Sequence, residues 1–200
     1  MAALASDDRM VMLESRMQGQ LACPVWRELE RDGLWQRRQR ALLPPYITFV
    51  PLANRQTLYL ALLIDIFTRA IRGWHLSRSM SEDLIQIALA KALATGHKPE
   101  IHHSDQGSQY NAHKYCKTLL SLGAEISMSD KGKAWQNPHV ESVIGHIKDE
   151  EIWLKEYIDF EDAFTNLSYF LDVEYNHIRI HSALGRLTPA EFEAQYESQK

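Results

Sequence analysis

Hydrophobic positions beyond residue 45 occur in short stretches that suit β-strands. Residues 46–52 and 58–67 are rich in β-branched, aromatic and leucine side chains, and the segment 53–56 between them has the composition of a hairpin turn. A third stretch, residues 70–76, follows closely. The pattern therefore predicts three antiparallel strands joined as a meander.

Helical spacing follows the third stretch. Residues 79–82, Ser-Met-Ser-Glu, have the pattern of a capping box, and the segment ends near Gly96. Its apolar residues share one helical face: Leu84, Ile85, Ala88, Leu89 and Ala92. The sequence predicts an amphipathic helix here and a short strand at 98–103 after it.

The second half of the chain alternates again between helix and strand. Residues 111–122 predict a helix closed by Gly123, and 124–128 predict a fifth strand. Asn137-Pro138 marks the start of a further helix, since proline is favoured at the first helical position. We expect this helix to run through Lys148.

Two more helices are predicted, at residues 160–175 and from Thr188-Pro189 onward. The whole order predicts an α/β fold with a mixed five-stranded sheet and helices on both faces. Residues 1–43 differ in texture, with scattered charges and one short amphipathic stretch that ends at Gly33. We therefore expect two parts, an N-terminal helical segment at 1–43 and a domain at 44–196, separated by Pro44-Pro45.

Composition and charge narrow the function class. The formal net charge is −4 and the isoelectric point is near 6.1, so DNA contacts would have to come from local basic patches. Cys23 and Cys116 are far apart, which argues against a disulfide framework or a zinc site. The longest apolar run, 58–66, is shorter than the roughly 18–20 residues of a membrane span, and residues 1–8 do not resemble a secretory signal. We expect a cytoplasmic protein without a membrane association.

Two carboxylates are the candidates for chemistry. Asp105 follows a predicted strand, Glu141 lies in the first turn of a predicted helix, and 35 residues (106–140) lie between them. Carboxylates are the ligands that Mg²⁺ and Mn²⁺ prefer, and two such ions can activate an attacking oxygen and stabilise a leaving one. Lys148 is two helical turns from Glu141 and would share its face, within reach of a phosphate. Each residue alone is equally typical of an ordinary turn, helix start or surface charge.

Taken together, residues 46–194 resemble the catalytic core of bacterial insertion-sequence transposases of the retroviral-integrase-like DDE kind. The segments that carry the resemblance are residues 58–74, 103–110, 127–132, 137–142 and 175–192. The resemblance implies an RNase H-like fold and metal-dependent cleavage and strand transfer of DNA, with Asp105 and Glu141 as ligands of Mg²⁺ or Mn²⁺. It also implies DNA partners, namely transposon ends and target, and a homodimer or higher assembly.

Other positively charged residues would, by the same resemblance, lie near DNA, although each is equally typical of a solvated surface charge. With Lys148, the predicted DNA-binding residues are Lys131, Lys133, Arg179 and Arg186.

The resemblance breaks at the first of the family's three carboxylates. The family pattern Trp-x-x-Asp-Ile-Thr-Tyr is met here by residues 44–49, Pro-Pro-Tyr-Ile-Thr-Phe, so Tyr46 stands where the aspartate belongs. The tryptophan upstream is missing as well. A phenol, with a pKa of about 10, cannot replace a carboxylate that bridges two Mg²⁺ ions. Residues 1–43 resemble a shortened remnant of a helical DNA-binding region. We therefore expect a transposase core whose activity is lost or weak.

Asp65 is a possible substitute for the missing aspartate. If the hairpin turns between Asn54 and Arg55, Tyr46 faces Leu63 and Asp65 lies diagonally on the same sheet face, about 7–8 Å away between Cα atoms. A slip of one residue would place Asp65 on the opposite face.

Two alternatives to an impaired enzyme stay open at this point. One is a non-catalytic module that binds DNA or dimerises and so interferes with an intact transposase. The other is a pseudogene product that folds without a function.

Overall fold

The computed structural model describes residues 41–42, 46–96, 101–104, 113–128 and 138–198. The predicted N-terminal helix and the candidate residues Asp105, Lys131 and Lys133 lie outside these ranges.

Six strands form two sheets within the described residues. The strands are β1 (Ala41–Leu42), β2 (Tyr46–Pro51), β3 (Thr57–Ile64), β4 (Ile71–Ser77), β5 (Ile101–Ser104) and β6 (Glu125–Met128). β2, β3 and β4 are antiparallel neighbours in that order, which confirms the predicted meander.

β1, β5 and β6 form a second, parallel sheet in which β5 is central. The prediction of one five-stranded sheet is therefore not confirmed in the part of the chain that the structure describes.

Five α-helices are described, two of which continue directly into π-helical turns. They are α1 (Glu82–Ala94), α2 (His113–Ser121), α3 (Pro138–Ile147, continuing as a π-turn Lys148–Ile152), α4 (Phe160–Tyr169, continuing as a π-helix Phe170–Ile178) and α5 (Pro189–Glu197), with a 3₁₀ turn at Ser182–Leu184. The predicted capping box is present at Thr188, whose side chain accepts from the Glu191 amide while Glu191 accepts from the Thr188 amide. The box predicted at Ser79 is absent, because α1 begins two residues later, with Ser81 as its N-cap.

Helices pack on both faces of the antiparallel sheet, as predicted. On one face the buried core includes Leu60, Leu62, Trp74, Val143, Ile144, Ile147, Leu167 and Phe170. On the other it includes Ala61, Leu63, Leu84, Ile85, Ala88, Leu89, Ala92, Tyr115 and Leu119. The first core therefore belongs to α3 and α4, and the second to α1 and α2.

α1 approaches β4 closely at Gly73. A Cβ atom at this position would overlap the Ala88 carbonyl oxygen and lie 2.6 Å from the Ala92 nitrogen. Gly73 thus allows the helix to pack directly on the strand. None of the described helices combines the length and apolar character needed to cross a membrane.

Candidate functional site

Tyr46 begins β2 and lies on the sheet face covered by α3. It pairs with Leu62 across the β2–β3 ladder, and its half-buried ring packs against the core that contains Val143 and Ile144 of α3. α3 is also the helix that carries Glu141. Position 46, the predicted place of the first carboxylate, is therefore on the same side of the sheet as the Glu141 helix.

Glu141 lies in the first turn of α3, and its side chain is exposed. Val143, Ile144 and Ile147 bury the opposite side of the helix in the core. An ionised carboxylate is favoured at this end of a helix by the partial positive charge of the unpaired amides. The structure thus presents the Glu141 carboxyl group to solvent at the start of the helix.

Lys148 follows α3 directly, as the first residue of the π-turn. Its ammonium group lies 5.8 Å from the centre of the Trp153 ring, which is 65% exposed. The helical path from Glu141 to Lys148 is unbroken, so the two residues lie along one side of the helix, as the spacing predicted.

The predicted register of the first hairpin is wrong by one residue. Tyr46 pairs with Leu62 and not with Leu63, because the loop between Pro51 and Thr57 contains an odd number of residues, 52–56. The Leu52 amide donates to the Gln56 carbonyl, and Arg55 adopts the left-handed conformation, with φ of 67°. Loops of this kind shift the pairing by one position relative to an even turn.

The register places Asp65 away from the face of Tyr46. Leu63, two residues earlier, packs into the core on the α1 side, and Asp65 closes the turn between β3 and β4. Its Oδ1 accepts from the amides of Phe67 at 2.9 Å and Thr68 at 3.2 Å. The diagonal pairing by which Asp65 was expected to approach position 46 is therefore absent.

The second carboxylate oxygen of Asp65 accepts a hydrogen bond from Arg72. Nη2 of Arg72 donates to Asp65 Oδ2 at 3.1 Å, and both Nη atoms contact the carboxylate of Glu193, with Nη1 3.1 Å from Oε2. The exposed fractions of the two paired side chains are 8% for Arg72 and 7% for Asp65. The carboxylate of Asp65 thus has a structural role, and the prediction that it replaces the first catalytic aspartate is not supported by the geometry.

Aromatic contacts reinforce the same joint between the β3–β4 turn and α5. The ring of Phe67 lies edge-on to Phe192 at 5.3 Å and to Tyr196 at 5.1 Å between centroids. Burial raises the pKa of Tyr196, so its phenol stays neutral. α5 is therefore held on the turn by both charge and packing.

Arg179 has partners within the protein in a partly exposed ion pair, whose side chains are 18% exposed for Arg179 and 39% for Glu150. Its Nε and Nη2 each lie 2.6 Å from a carboxylate oxygen of Glu150, and Nη1 lies 3.2 Å from His181 Nδ1. The hydrogen bond from Arg179 lowers the pKa of Glu150, and the same bond raises the pKa of Arg179. Arg186, by contrast, is exposed, with φ of 68°.

His181 lies beside this ion pair and is buried. Burial, followed by the charge of Arg179, lowers the pKa of His181 to about 4. Because arginine only donates, Nδ1 of His181 must accept from Arg179, which assigns the proton of the neutral ring to Nε2. The ring packs edge-on against Tyr175 at 4.9 Å between centroids.

The sequence prediction missed Glu150 and the role of His181. The role of Glu150 depends on a contact with Arg179 across 29 residues, for which sequence spacing holds no signal, and that of His181 depends on its burial beside Arg179 and Tyr175. In the described part of the chain, no group of three or more histidine, cysteine, aspartate or glutamate side chains is arranged to hold a metal ion.

Two family models match the chain, and both describe an integrase core domain. They cover residues 47–134 and 122–189, which includes Tyr46's strand from its second residue, the Glu141 helix and the segment around Arg179. The chain belongs to the integrase core domain family. Tyr46 lies one residue before the first matched position.

Curated relatives of this integrase core are proteins of bacterial insertion sequences. The transposase of element IS904 from Lactococcus lactis is 36% identical over 149 residues, which is 74% of this chain and 58% of the relative. A 31 kDa protein of element IS600 from Shigella sonnei is 35% identical over 141 residues, 70% of this chain and 52% of the relative. The IS3A transposase from Escherichia coli is 36% identical over 138 residues, which is 68% of this chain and 48% of the relative. The chain spans about half the length of these relatives.

Solved structures of retroviral integrase cores share the fold. The catalytic core of HTLV-2 integrase, determined with magnesium in a dimeric form, has a TM-score of 0.58 at 14% identity, over 77% of this chain and 95% of that core. The core of BIV integrase has a TM-score of 0.58 at 16% identity, over 81% of this chain and 99% of that core. The RNase H-like α/β architecture of the integrase core is thereby confirmed.

Proposed function

We propose that this chain supplies the catalytic-core part of a transposase and acts in DNA integration and transposition. The chemistry is cleavage of a phosphodiester and transfer of the DNA strand, and its partners are transposon ends and target DNA. The family membership and the insertion-sequence relatives support this proposal. The division into an N-terminal segment, 1–43, and a core, 44–196, belongs to the same proposal.

We further propose that the activity of this copy is lost or weak. The observation that supports this is the position of Tyr46, on the sheet face that is covered by α3, the helix that carries Glu141. At that position a carboxylate would carry a negative charge at neutral pH, whereas a phenol with a pKa of about 10 stays neutral. The pair of Asp105 and Glu141 is thus two thirds of a three-carboxylate site.

The described residues do not fit the two ions, Mg²⁺ or Mn²⁺, that such a reaction uses. Divalent ions of this kind require several oxygen ligands, and the proposed site has two carboxylates, Asp105 and Glu141, where the family has three. Tyr46 supplies a neutral phenol, and Asp65 is committed to Arg72 and the turn. The unaltered chain therefore lacks the full set of carboxylates that metal-dependent catalysis would need at this site.

For DNA contact we propose Lys131, Lys133, Lys148 and Arg186. Arg179, also predicted from the sequence, is a weaker candidate because its three nitrogens have protein partners. With a net charge of −4, these contacts would form a local basic patch and not a broad surface. A homodimer or higher assembly, which would hold two DNA ends, is part of the proposal.

Substitution of Tyr46 tests the function directly. We expect Tyr46→Asp to gain Mn²⁺-dependent nicking of DNA that carries the element's ends, whereas the isosteric but uncharged Tyr46→Asn stays inactive. Adding Glu141→Gln to Tyr46→Asp should abolish the gained nicking. Nicking by the unaltered protein at the rate of Tyr46→Asp would overturn the proposed impairment. If both Tyr46→Asp and the unaltered chain lack nicking, the proposed catalytic function fails.

A non-catalytic module that binds DNA or dimerises is the second candidate. The packing of the Tyr46 ring against the core favours this candidate. A tyrosine in place of the aspartate adds a buried apolar contact to the fold and removes a carboxylate that would bind metal. Two results together would support this module over the impaired enzyme. The unaltered chain would bind DNA tightly without metal, and the Tyr46→Asp variant would not nick DNA.

A further inference from the structure

Glu150 and Arg179 form an ion pair with two contact points. Nε of Arg179 lies 2.6 Å from Oε2 of Glu150, and Nη2 lies 2.6 Å from Oε1. Nη1 faces His181 Nδ1, and the guanidinium carbon lies 5.9 Å from the centre of the Tyr175 ring. Only 18% of the Arg179 side chain is exposed. A planar guanidinium held at this many points has a fixed orientation.

Glu150 belongs to the same continuous helix as Glu141. The π-turn that contains Glu150 follows Ile147, which itself has helical φ and ψ of −61° and −39°. The two glutamates are nine residues apart in the sequence, or roughly 14 Å along the axis. Because Glu150 and Glu141 lie on one continuous helix, a contact that holds Glu150 also bears on the placement of Glu141.

Arg179 belongs to a segment that is anchored to the antiparallel sheet. The Asn176 amide group accepts from the Ile71 nitrogen at 2.9 Å and donates to the Ile71 oxygen at 3.1 Å. Further along, Glu193 pairs with Arg72. Ile71 and Arg72 lie in β4, and β4 is part of the sheet in which β2 carries Tyr46. Arg179 therefore connects the Glu141 helix to the sheet that carries position 46.

We propose that Arg179 is a positioning residue, which sets the placement of the Glu141 helix relative to position 46 through its ion pair with Glu150. This inference rests on the proposed function, because it concerns the same site. The competing role for Arg179 is a contact with a DNA phosphate. The two roles predict different results for Glu150→Gln, which releases the guanidinium without removing it.

Hydrogen exchange of the α3 amides tests the positioning role in the unaltered chain. We expect Arg179→Ala and Glu150→Gln to accelerate exchange of residues 142–147 by about tenfold, since both remove the charge-assisted bonds that hold this helix end. Glu156→Gln is the control, because it removes an exposed negative charge six residues after Glu150. Equal exchange in Arg179→Ala and Glu156→Gln would overturn the proposal.

Charge reversal separates a specific pair from a general loss of stability. We expect Arg179→Glu and Glu150→Arg to accelerate exchange singly and the double variant to restore a large part of the protection. DNA affinity is the second measurement that separates the two roles. If Arg179 positions the helix, Glu150→Gln changes DNA affinity no more than Glu156→Gln, which also removes an exposed negative charge. If Arg179 binds phosphate, Glu150→Gln strengthens DNA binding several-fold more than Glu156→Gln does and overturns the proposal.

The catalytic consequence is measured in the Tyr46→Asp background. There, Arg179→Ala should raise the Mn²⁺ concentration needed for half-maximal nicking by about tenfold and leave DNA affinity unchanged. An unchanged Mn²⁺ requirement would contradict the positioning role. If Tyr46→Asp itself does not nick DNA, the proposed function fails, and the exchange and charge-reversal results still decide the role of Arg179.

Discussion

Asp65 and Arg72 form a buried ion pair, with 3.1 Å between Oδ2 and Nη2, at the joint between the β3–β4 turn and α5. Arg72 also contacts Glu193, so the guanidinium lies between two carboxylates from distant parts of the chain. This relationship gives Asp65 a role in stability.

Asp65→Asn should lower the free energy of unfolding by about 1–3 kcal/mol, because the charge pair is lost while the oxygen that accepts from the turn amides is kept. Urea unfolding followed by circular dichroism measures the effect. Glu156→Gln, which changes an exposed carboxylate, is the control and should stay within about 0.5 kcal/mol of the unaltered chain. An equal effect of the two substitutions would refute the structural role of Asp65.

Gly73→Ala should destabilise the protein by about 1–3 kcal/mol, because the added methyl group would overlap the Ala88 carbonyl oxygen and force α1 away from β4. Gly145→Ala is the control. It lies within α3, where an added Cβ meets nothing within 4 Å, so this substitution should stabilise by about 0.5–1 kcal/mol. Thermal unfolding of the two variants should therefore shift in opposite directions, and a shift in one direction for both would contradict the packing.

Thr188→Ala should cost about 1–2 kcal/mol, because the Thr188 hydroxyl accepts from the Glu191 amide at 3.2 Å and caps α5. Ser81 is the matched N-cap residue of α1, but its side chain makes no capping bond. Ser81→Ala should therefore change the free energy of unfolding by less than about 0.5 kcal/mol. Chemical denaturation measures the free energy of unfolding of both variants. A loss in Thr188→Ala that is no larger than the loss in Ser81→Ala would contradict the capping role of Thr188.

Stability should depend on pH through His181. The folded protein keeps this ring neutral down to its pKa of about 4, whereas the unfolded chain takes up a proton near 6.5. The unfolded state thus binds more protons between these values, so the free energy of unfolding falls as the pH is lowered from 6.5 to 4, by about 2 kcal/mol.

The His181→Gln variant should lose most of this pH dependence, which urea titrations at several pH values measure. His75, whose pKa is lowered by burial and then by Lys91, contributes with the same sign. His75→Gln is therefore the control, and a larger loss of slope in His75→Gln than in His181→Gln would contradict the assignment.

Local patterns in the sequence determined most of the elements. The five apolar residues assigned to one face of the first helix are its buried residues, because helical spacing places them together regardless of the rest of the chain. The capping box at Thr188 and the proline at the first position of α3 are equally local. The sequence alone also carried the family resemblance and, with it, the prediction that Tyr46 stands at the first carboxylate position.

Only the tertiary structure decided the register of β2 on β3 and the partners of Asp65 and Arg179. The register depended on an odd loop with a left-handed residue at Arg55, and a shift of one position reverses the face of every side chain. The partners of Asp65 and Arg179 include residues that are 7 and 29 positions away along the chain, with α5 and the π-turn meeting them only after folding. Contacts of this kind arise from how elements pack, which the spacing of residues within each element does not encode.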